Sequence, residues 1–176
     1  MGRITRAFFN HSSDSVARDL LGVVLLVEGV GGAIVETESY DGDDPASHSY
    51  PMRPTERNAV MFGPPGYAYV YRSYGIHWCL NFVCEIGSAV LIRAIAPDCR
   101  ADVMQRRRGV GEPAQLCAGP GRLCQALGIT GALNGASLFK PPFSLTPGGA
   151  IADIHAGPRI GISKAKDAHR RFGVKG

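Results

Sequence analysis

Glu36 and Glu38 stand two residues apart at the end of the apolar run Ile34-Val35, directly before the acidic stretch Asp41, Asp43 and Asp44. On a strand this spacing puts both carboxylates on one face. A carboxylate at a strand end beside tyrosines can hold and polarise a water molecule. Attack of that water on an acetal or N-glycosidic carbon needs little more when the leaving group is good. A pair of solvated surface carboxylates has the same spacing, and the two glutamates alone do not separate the readings. His48, flanked by Ser47 and Ser49, adds a group that either donates to a ligand or is a solvated loop residue.

Aromatic side chains gather around these acids. All six tyrosines fall between Tyr40 and Tyr74, and the one tryptophan, Trp78, follows. Tyr67, Tyr69 and Tyr71 alternate as one strand face does, which fits a tyrosine-packed strand or a platform for flat nucleobases, whose stacking is worth ~1–3 kcal/mol per base. Tyr74-Gly75 then offers a turn, and Ile76, Trp78, Leu80 and Phe82 alternate on the way back. The expected product is a protruding β-hairpin with Tyr74 at its tip.

The formal net charge of +4 conceals an asymmetry: residues 1–88 hold six basic and ten acidic side chains, residues 89–176 thirteen and five. Arg100, Arg106, Arg107 and Arg108 form one basic cluster, and Arg159, Lys164, Lys166, Arg170, Arg171 and Lys175 another. Such clusters suit a polyanion, and they equally suit a solvated face.

The elements that must position these groups are short. The 176 residues, 45% hydrophobic and 19% charged, fit one domain spanning 1–176 with its own core. No apolar run reaches the ~18 residues of a membrane span and no signal-peptide core precedes Phe8-Phe9, so a cytoplasmic protein is expected. Five cysteines without a Cys-x-x-Cys pair signal neither a disulfide framework nor a zinc site. A helix capped by Ser13 or Asp14 buries Val16, Ala17, Leu20 and Leu21 and stops at Gly22. Val23–Val27 and Ala33–Val35 read as a hairpin across Gly29, Gly31 and Gly32, residues 41–58 as a long loop, and Val90–Ile95 as a further strand. Met104–Arg108 and Arg122–Leu127 read as short helices, and Arg159–Ile162 and Arg171–Val174 as short strands. With 23 Gly and 12 Pro, many short strands joined by turns are expected.

In order along the chain, Ile34-Val-Glu-Thr-Glu-Ser-Tyr40, Ala46-Ser-His-Ser49, Arg57-Asn58 with Met61-Phe62, Gly66-Tyr-Ala-Tyr-Val-Tyr71 with Tyr74-Gly75, Asn81, Leu91-Ile-Arg93 and Gly119-Pro-Gly-Arg-Leu-Cys-Gln-Ala-Leu127 resemble the alkyladenine (3-methyladenine) DNA glycosylase family. The likeness runs from about Thr5 to the C-terminus, with Glu56 where the family tends to have Pro, and Ala168-His169 where it tends to have Pro-Trp. It implies a monofunctional base-excision enzyme that flips a damaged purine from duplex DNA. By motif, Glu38 would activate the water, helped by Arg93 and the main chain near Ile160. Tyr40, His48 and Tyr71 would line the base pocket, Asn81 would clash with the exocyclic amine of guanine, and Tyr74 would fill the gap left by the flipped nucleotide. Arg57, Arg106, Arg107, Arg108 and Lys164 are candidate contacts to the DNA backbone.

The physics agrees with these roles. Unstacking a base costs a few kcal/mol, which an aromatic at a hairpin tip offsets by stacking in its place. A purine alkylated at N3 or N7 is cationic, so it binds well between electron-rich rings and leaves readily. No lysine precedes Lys140, so no amine lies near the candidate site in sequence. The reading is therefore a mixed α/β (α+β) domain with a curved antiparallel sheet, a protruding hairpin and a few short helices. It would act as a monomer on double-stranded DNA containing a damaged purine, without cofactor or metal, in the cytoplasm and, in a bacterium, at the nucleoid. Two other classes remain: a catalytically silent nucleic-acid-binding module, which needs no Glu38, and a nucleoside or glycoside hydrolase of free small molecules, which needs no wedge or basic face.

Overall fold

The computed structural model describes residues 2–175. Along the chain come α1 (Arg6–Phe9), α2 (Ser13–Asp19), β1 (Val24–Val27), β2 (Val30–Tyr40), β3 (Ala68–Ser73), β4 (His77–Val83), β5 (Ala89–Cys99), α3 (Ala101–Arg108), α4 (Pro113–Leu116), α5 (Pro120–Leu127), β6 (Phe143–Thr146), β7 (Ile154–Gly157) and β8 (Arg171–Val174). The strands form one curled antiparallel sheet in the order β3-β4-β5-β2-β1-β6, and β8 adds to β2 and carries β7. The mixed α/β reading with a curved sheet and few helices matches this architecture.

Alternation of side chains divides the central strands into two faces. Val70, Leu80, Phe82, Val90 and Ile92 enter the main core with Phe9, Leu20, Ile34 and Phe172. The intervening residues Glu36, Glu38, Tyr40, Tyr69, Tyr71, Cys79, Asn81, Leu91 and Arg93 lie on the other face. Helix α2 covers the core side of β2, where the Thr37 hydroxyl donates to the Ala17 carbonyl at 2.9 Å. A smaller apolar cluster of Met61, Tyr69, Val83 and Ala89, with Phe62 and Tyr71 packed against it, lies on the polar side of the sheet.

Several expectations are corrected. Gly31 and Gly32 lie inside β2 instead of in a turn; glycine is required there because a Cβ at either would run into a neighbouring backbone carbonyl, that of Leu25 or Ala96. Glycine marks a close strand approach here, and the turn falls at Glu28-Gly29, both at positive φ. Strand β5 runs through Pro97, well past Ile95, and β6 and α1 were not expected at all. The strand expected at Arg159–Ile162 is instead β7 at Ile154–Gly157, ended by Pro158; the residues after it form an irregular segment.

Arg159, Arg170 and Arg171 belong to neither the polyanion-binding face nor the solvated face that their clustering suggested. The Arg159 side chain is 0% exposed and pairs with Asp44, Arg170 pairs with Asp14, Asp41 and Asp44, and Arg171 lies 3.8 Å from Glu36. These pairs join acidic side chains of the first half to basic side chains of the second. Four of the five cysteines are buried thiols and Cys99 is partly buried. Among the described residues no helix is long and apolar enough to cross a membrane.

Candidate active site

Strands β2 to β5 floor a cavity of about 520 Å³ on the polar face of the sheet, within the ~300–1,000 Å³ of small-ligand pockets. One wall is the loop segment Pro45–His48, the other Ile160–Lys164, and Tyr74 stands at the rim.

Glu38 is wholly buried and does not itself line the cavity; it contacts three residues that do, Tyr40, Arg93 and Ile160. Its Oε1 accepts from the Tyr40 hydroxyl at 3.0 Å and lies 3.5 Å from Arg93 Nη1; its Oε2 accepts from the Ile160 amide at 3.1 Å. Burial pushes its pKa above the ordinary carboxylate value, and Arg93, the Ile160 N–H and Tyr40 oppose that rise. Arg93 reaches it from an irregularity in the ladder: Glu36 pairs with Ala94 and Thr37 with Ile92, so Arg93 has no partner opposite. Register slips of this kind re-aim a side chain. Arg93 Nε donates to Glu36 Oε1 at 2.6 Å, which leaves Glu36 at the partly exposed edge and Glu38 inside. The expected sharing of one face holds for the pair.

Aromatic groups line the wall. His48 meets the Tyr71 ring edge-on with centroids 4.3 Å apart, and its Nδ1 lies 2.9 Å from the Tyr69 hydroxyl. Burial, then the Arg57 guanidinium, lowers the His48 pKa, favouring neutral imidazole at neutral pH. Burial also pushes the Tyr69 phenol up to about 12 and raises those of Tyr40 and Tyr71, so all three are hydroxyl donors. Arg57 lies 5.8 Å over the Tyr71 ring. Asn81, buried at the back, donates to the Tyr69 carbonyl at 3.1 Å. Tyr67 leaves this group and packs under Arg6, its ring 5.2 Å from the guanidinium.

The hairpin tip forms as the Tyr74-Gly75 pair suggests. Both residues have positive φ, and the Ile76 amide donates to the Ser73 carbonyl at 3.0 Å. Tyr74 is 85% exposed.

The loop that carries His48 is held by Asn58, whose Nδ2 donates to the carbonyls of His48 at 2.9 Å and Arg53 at 3.0 Å while Oδ1 accepts from the Thr55 amide. Glu56, where the family tends to have proline, is exposed and takes no part in this closure. Across Ala168-His169 the chain still docks: Ser39 donates its amide to the Arg170 carbonyl at 3.0 Å, and β8 pairs with Glu36–Glu38.

Arg57 and Lys164 line the cavity, whereas Arg106, Arg107 and Arg108 on α3 do not. Arg106 is exposed beside Asp102. Arg107 donates to the Ala126 carbonyl at 3.0 Å, and Arg108 to those of Leu116 at 3.1 Å and Gln115 at 3.2 Å, tying α3 to α4 and α5. Lys164 shows that the tail does fold back to the site, although it lies far from the acids in sequence; it is exposed. Asp44 and Arg159, buried between the two walls, carried no signal beyond their charge because they lie 115 residues apart. Among the described residues no group of three or more His, Cys, Asp and Glu is arranged to hold a metal ion.

Residues 7–176 match the family model described as methylpurine-DNA glycosylase. The chain is 60% identical over 171 residues to a Nitrosospira multiformis protein named "Putative 3-methyladenine DNA glycosylase", covering 96% of this chain and 88% of that one. Proteins of the same name from Rhodopseudomonas palustris (strain BisB18) and Rhizobium etli are 58% and 53% identical, each over 99% of this chain and over 88% and 87% of their own.

Proposed function

The chain belongs to the methylpurine-DNA glycosylase family, a family of DNA-repair hydrolases, and on that premise we propose that it releases alkylated purines flipped out of duplex DNA, using a water activated by Glu38. The observation that carries this reading is the buried Glu38 set behind a tyrosine-walled cavity, its two oxygens held by the cavity-lining residues Arg93, Tyr40 and Ile160.

The flipped purine enters between Tyr40, Tyr71 and His48. A positive charge delocalised over the ring favours stacking on electron-rich faces, and neutral His48 adds no opposing charge. Asn81 at the back crowds the exocyclic amine of an undamaged guanine. Water attacks C1′ as its proton passes to Glu38; the C1′–N bond breaks and its electron pair neutralises the departing base. An already cationic leaving group requires no general acid, so one carboxylate suffices. The ionised Glu38 also faces the positive charge that develops on the sugar. The products are a free base and an abasic site. The wall amine, Lys164, is exposed, which supports water rather than an amine as the nucleophile.

Tyr74 enters the duplex from the rim and replaces the lost stacking. Arg57 and Lys164 at the rim, with Arg106 further out, meet phosphates. The protein works as a monomer in the cytoplasm, at the nucleoid in a bacterium. Base release from a duplex carrying one 3-methyladenine or 7-methylguanine, with purified protein and no added metal, tests the reading; an intact duplex after prolonged incubation opposes it.

A further inference from the structure

We propose that Arg159 is a positioning residue for Glu38: its clamp on Asp44 fixes both uncharged donors, the Ile160 amide and the Tyr40 hydroxyl, on the two carboxylate oxygens. The inference rests on the reading of Glu38 as the water-activating base.

Irregular backbone supplies the Ile160 amide. Residues 158–165 belong to no strand, Gly161 follows at φ +77°, and Ile160 is 52% exposed, so neither ladder nor core packing holds the donor in place. The adjacent residue does. Arg159 donates through Nη1 to the Ser39 carbonyl at 2.9 Å and to Asp44 Oδ2, and through Nη2 to Asp44 Oδ1 at 3.0 Å. Its guanidinium carbon also lies 4.7 Å from the centre of the Tyr40 ring, whose hydroxyl reaches Glu38. One side chain thus joins the end of β2, the loop before His48 and the segment bearing Ile160. Arg170 Nη1 shares Asp44 Oδ2 with Arg159, donating to it at 3.3 Å, and is itself anchored on Asp14 and Asp41.

Stability is a poor explanation for this arrangement. A buried ion pair often contributes no more to stability than apolar residues of the same volume, and here Arg159 Nε is buried without a partner. A fork with fixed donor directions does explain it, since lysine carries the charge without the bidentate geometry.

The test compares wild type with Arg159→Lys and Asp44→Asn, reading single-turnover base release against pH, affinity for the lesion duplex, and folded fraction by circular dichroism. Groups facing Glu38 are Arg93 with Glu36 beyond it, Tyr40, Cys79, Arg159 and the Ile160 N–H. Arg159→Lys keeps the charge and loosens both donors, so release falls about tenfold or more and the acid limb of the profile moves to higher pH, with affinity changed by less than about threefold. Asp44→Asn preserves volume and keeps the acceptor for Nη2, but it turns an amide N–H toward the Nη1 donors of Arg159 and Arg170, so it breaks half of the clamp and gives the same changes. Folded variants with unchanged rate and pH limb overturn the inference. So do rate and affinity that fall together with the folded fraction, or failure of both variants to fold. If wild type releases no base, or Glu38→Gln releases it normally, the reading of Glu38 itself fails and the inference goes with it.

Discussion

The Tyr40 phenol donates to Glu38 Oε1 over 3.0 Å, although the two side chains leave the same strand two residues apart. The contact opposes the burial that raises the Glu38 pKa, and the carboxylate must be ionised to take a proton. Tyr40→Phe removes the donor, so Glu38 titrates higher still. We expect the acid limb of single-turnover base release to move up, with much of the rate recovered at alkaline pH. A uniform loss over about pH 5 to 9 with an unmoved limb would mean that Tyr40 acts through stacking alone.

Glu38→Gln reports on the same burial through stability. A carboxyl whose folded pKa lies above its unfolded value favours folding fully below the unfolded pKa and loses that contribution as pH rises through the folded one. The neutral amide has no such dependence. The Tm of Glu38→Gln relative to wild type is therefore expected to rise with pH through the acidic range and then level off. A difference that falls with pH contradicts the direction assigned to Glu38.

Alternation made much of this site legible in the sequence. Glu36 and Glu38, then Tyr69 and Tyr71, needed only a two-residue period to be placed on one face, and Tyr74-Gly75 needed only turn chemistry. Three things were illegible for physical reasons. Gly31 and Gly32 look like turn residues until the neighbouring strands' carbonyls are in place. Arg159 is adjacent to the Ile160 amide, yet its partner lies 115 residues away, and burial of an arginine has no local signature. The split between acidic and basic halves suggested an external polyanion, whereas Arg93, Arg159, Arg170 and Arg171 meet their counterions within the fold.

Those internal pairs leave fewer cations for DNA. Duplex affinity is expected to fall with salt at a log-log slope of about −0.9 per phosphate contact. Arg57→Ala and Lys164→Ala each reduce that slope by about one. Arg107→Ala and Arg108→Ala instead lower Tm, because their guanidinium groups satisfy the carbonyls of Ala126, Gln115 and Leu116. A salt-independent affinity removes DNA from the account.

Tyr74→Ala separates a wedge from a structural aromatic. At 85% exposure its removal is expected to change stability by no more than about 0.5 kcal/mol. Excision from a paired duplex falls, while excision of a lesion opposite a gap falls less, since less unstacking is required there. A loss of ~3–5 kcal/mol, as for a buried aromatic, together with equal effects on both substrates, would move the wedge elsewhere.

The most direct measurement is the single-turnover rate of base release from a duplex bearing one methylpurine, for wild type, Glu38→Gln and Glu36→Gln. Glu38 is wholly buried and contacts the cavity-lining Tyr40, Arg93 and Ile160, whereas Glu36 pairs with Arg93 and has a side chain 28% exposed. The account predicts a loss of ~10²–10⁴ for Glu38→Gln with lesion binding retained, and less than about tenfold for Glu36→Gln. More than about a tenth of the wild-type rate in Glu38→Gln, or an equal loss in Glu36→Gln, would contradict it.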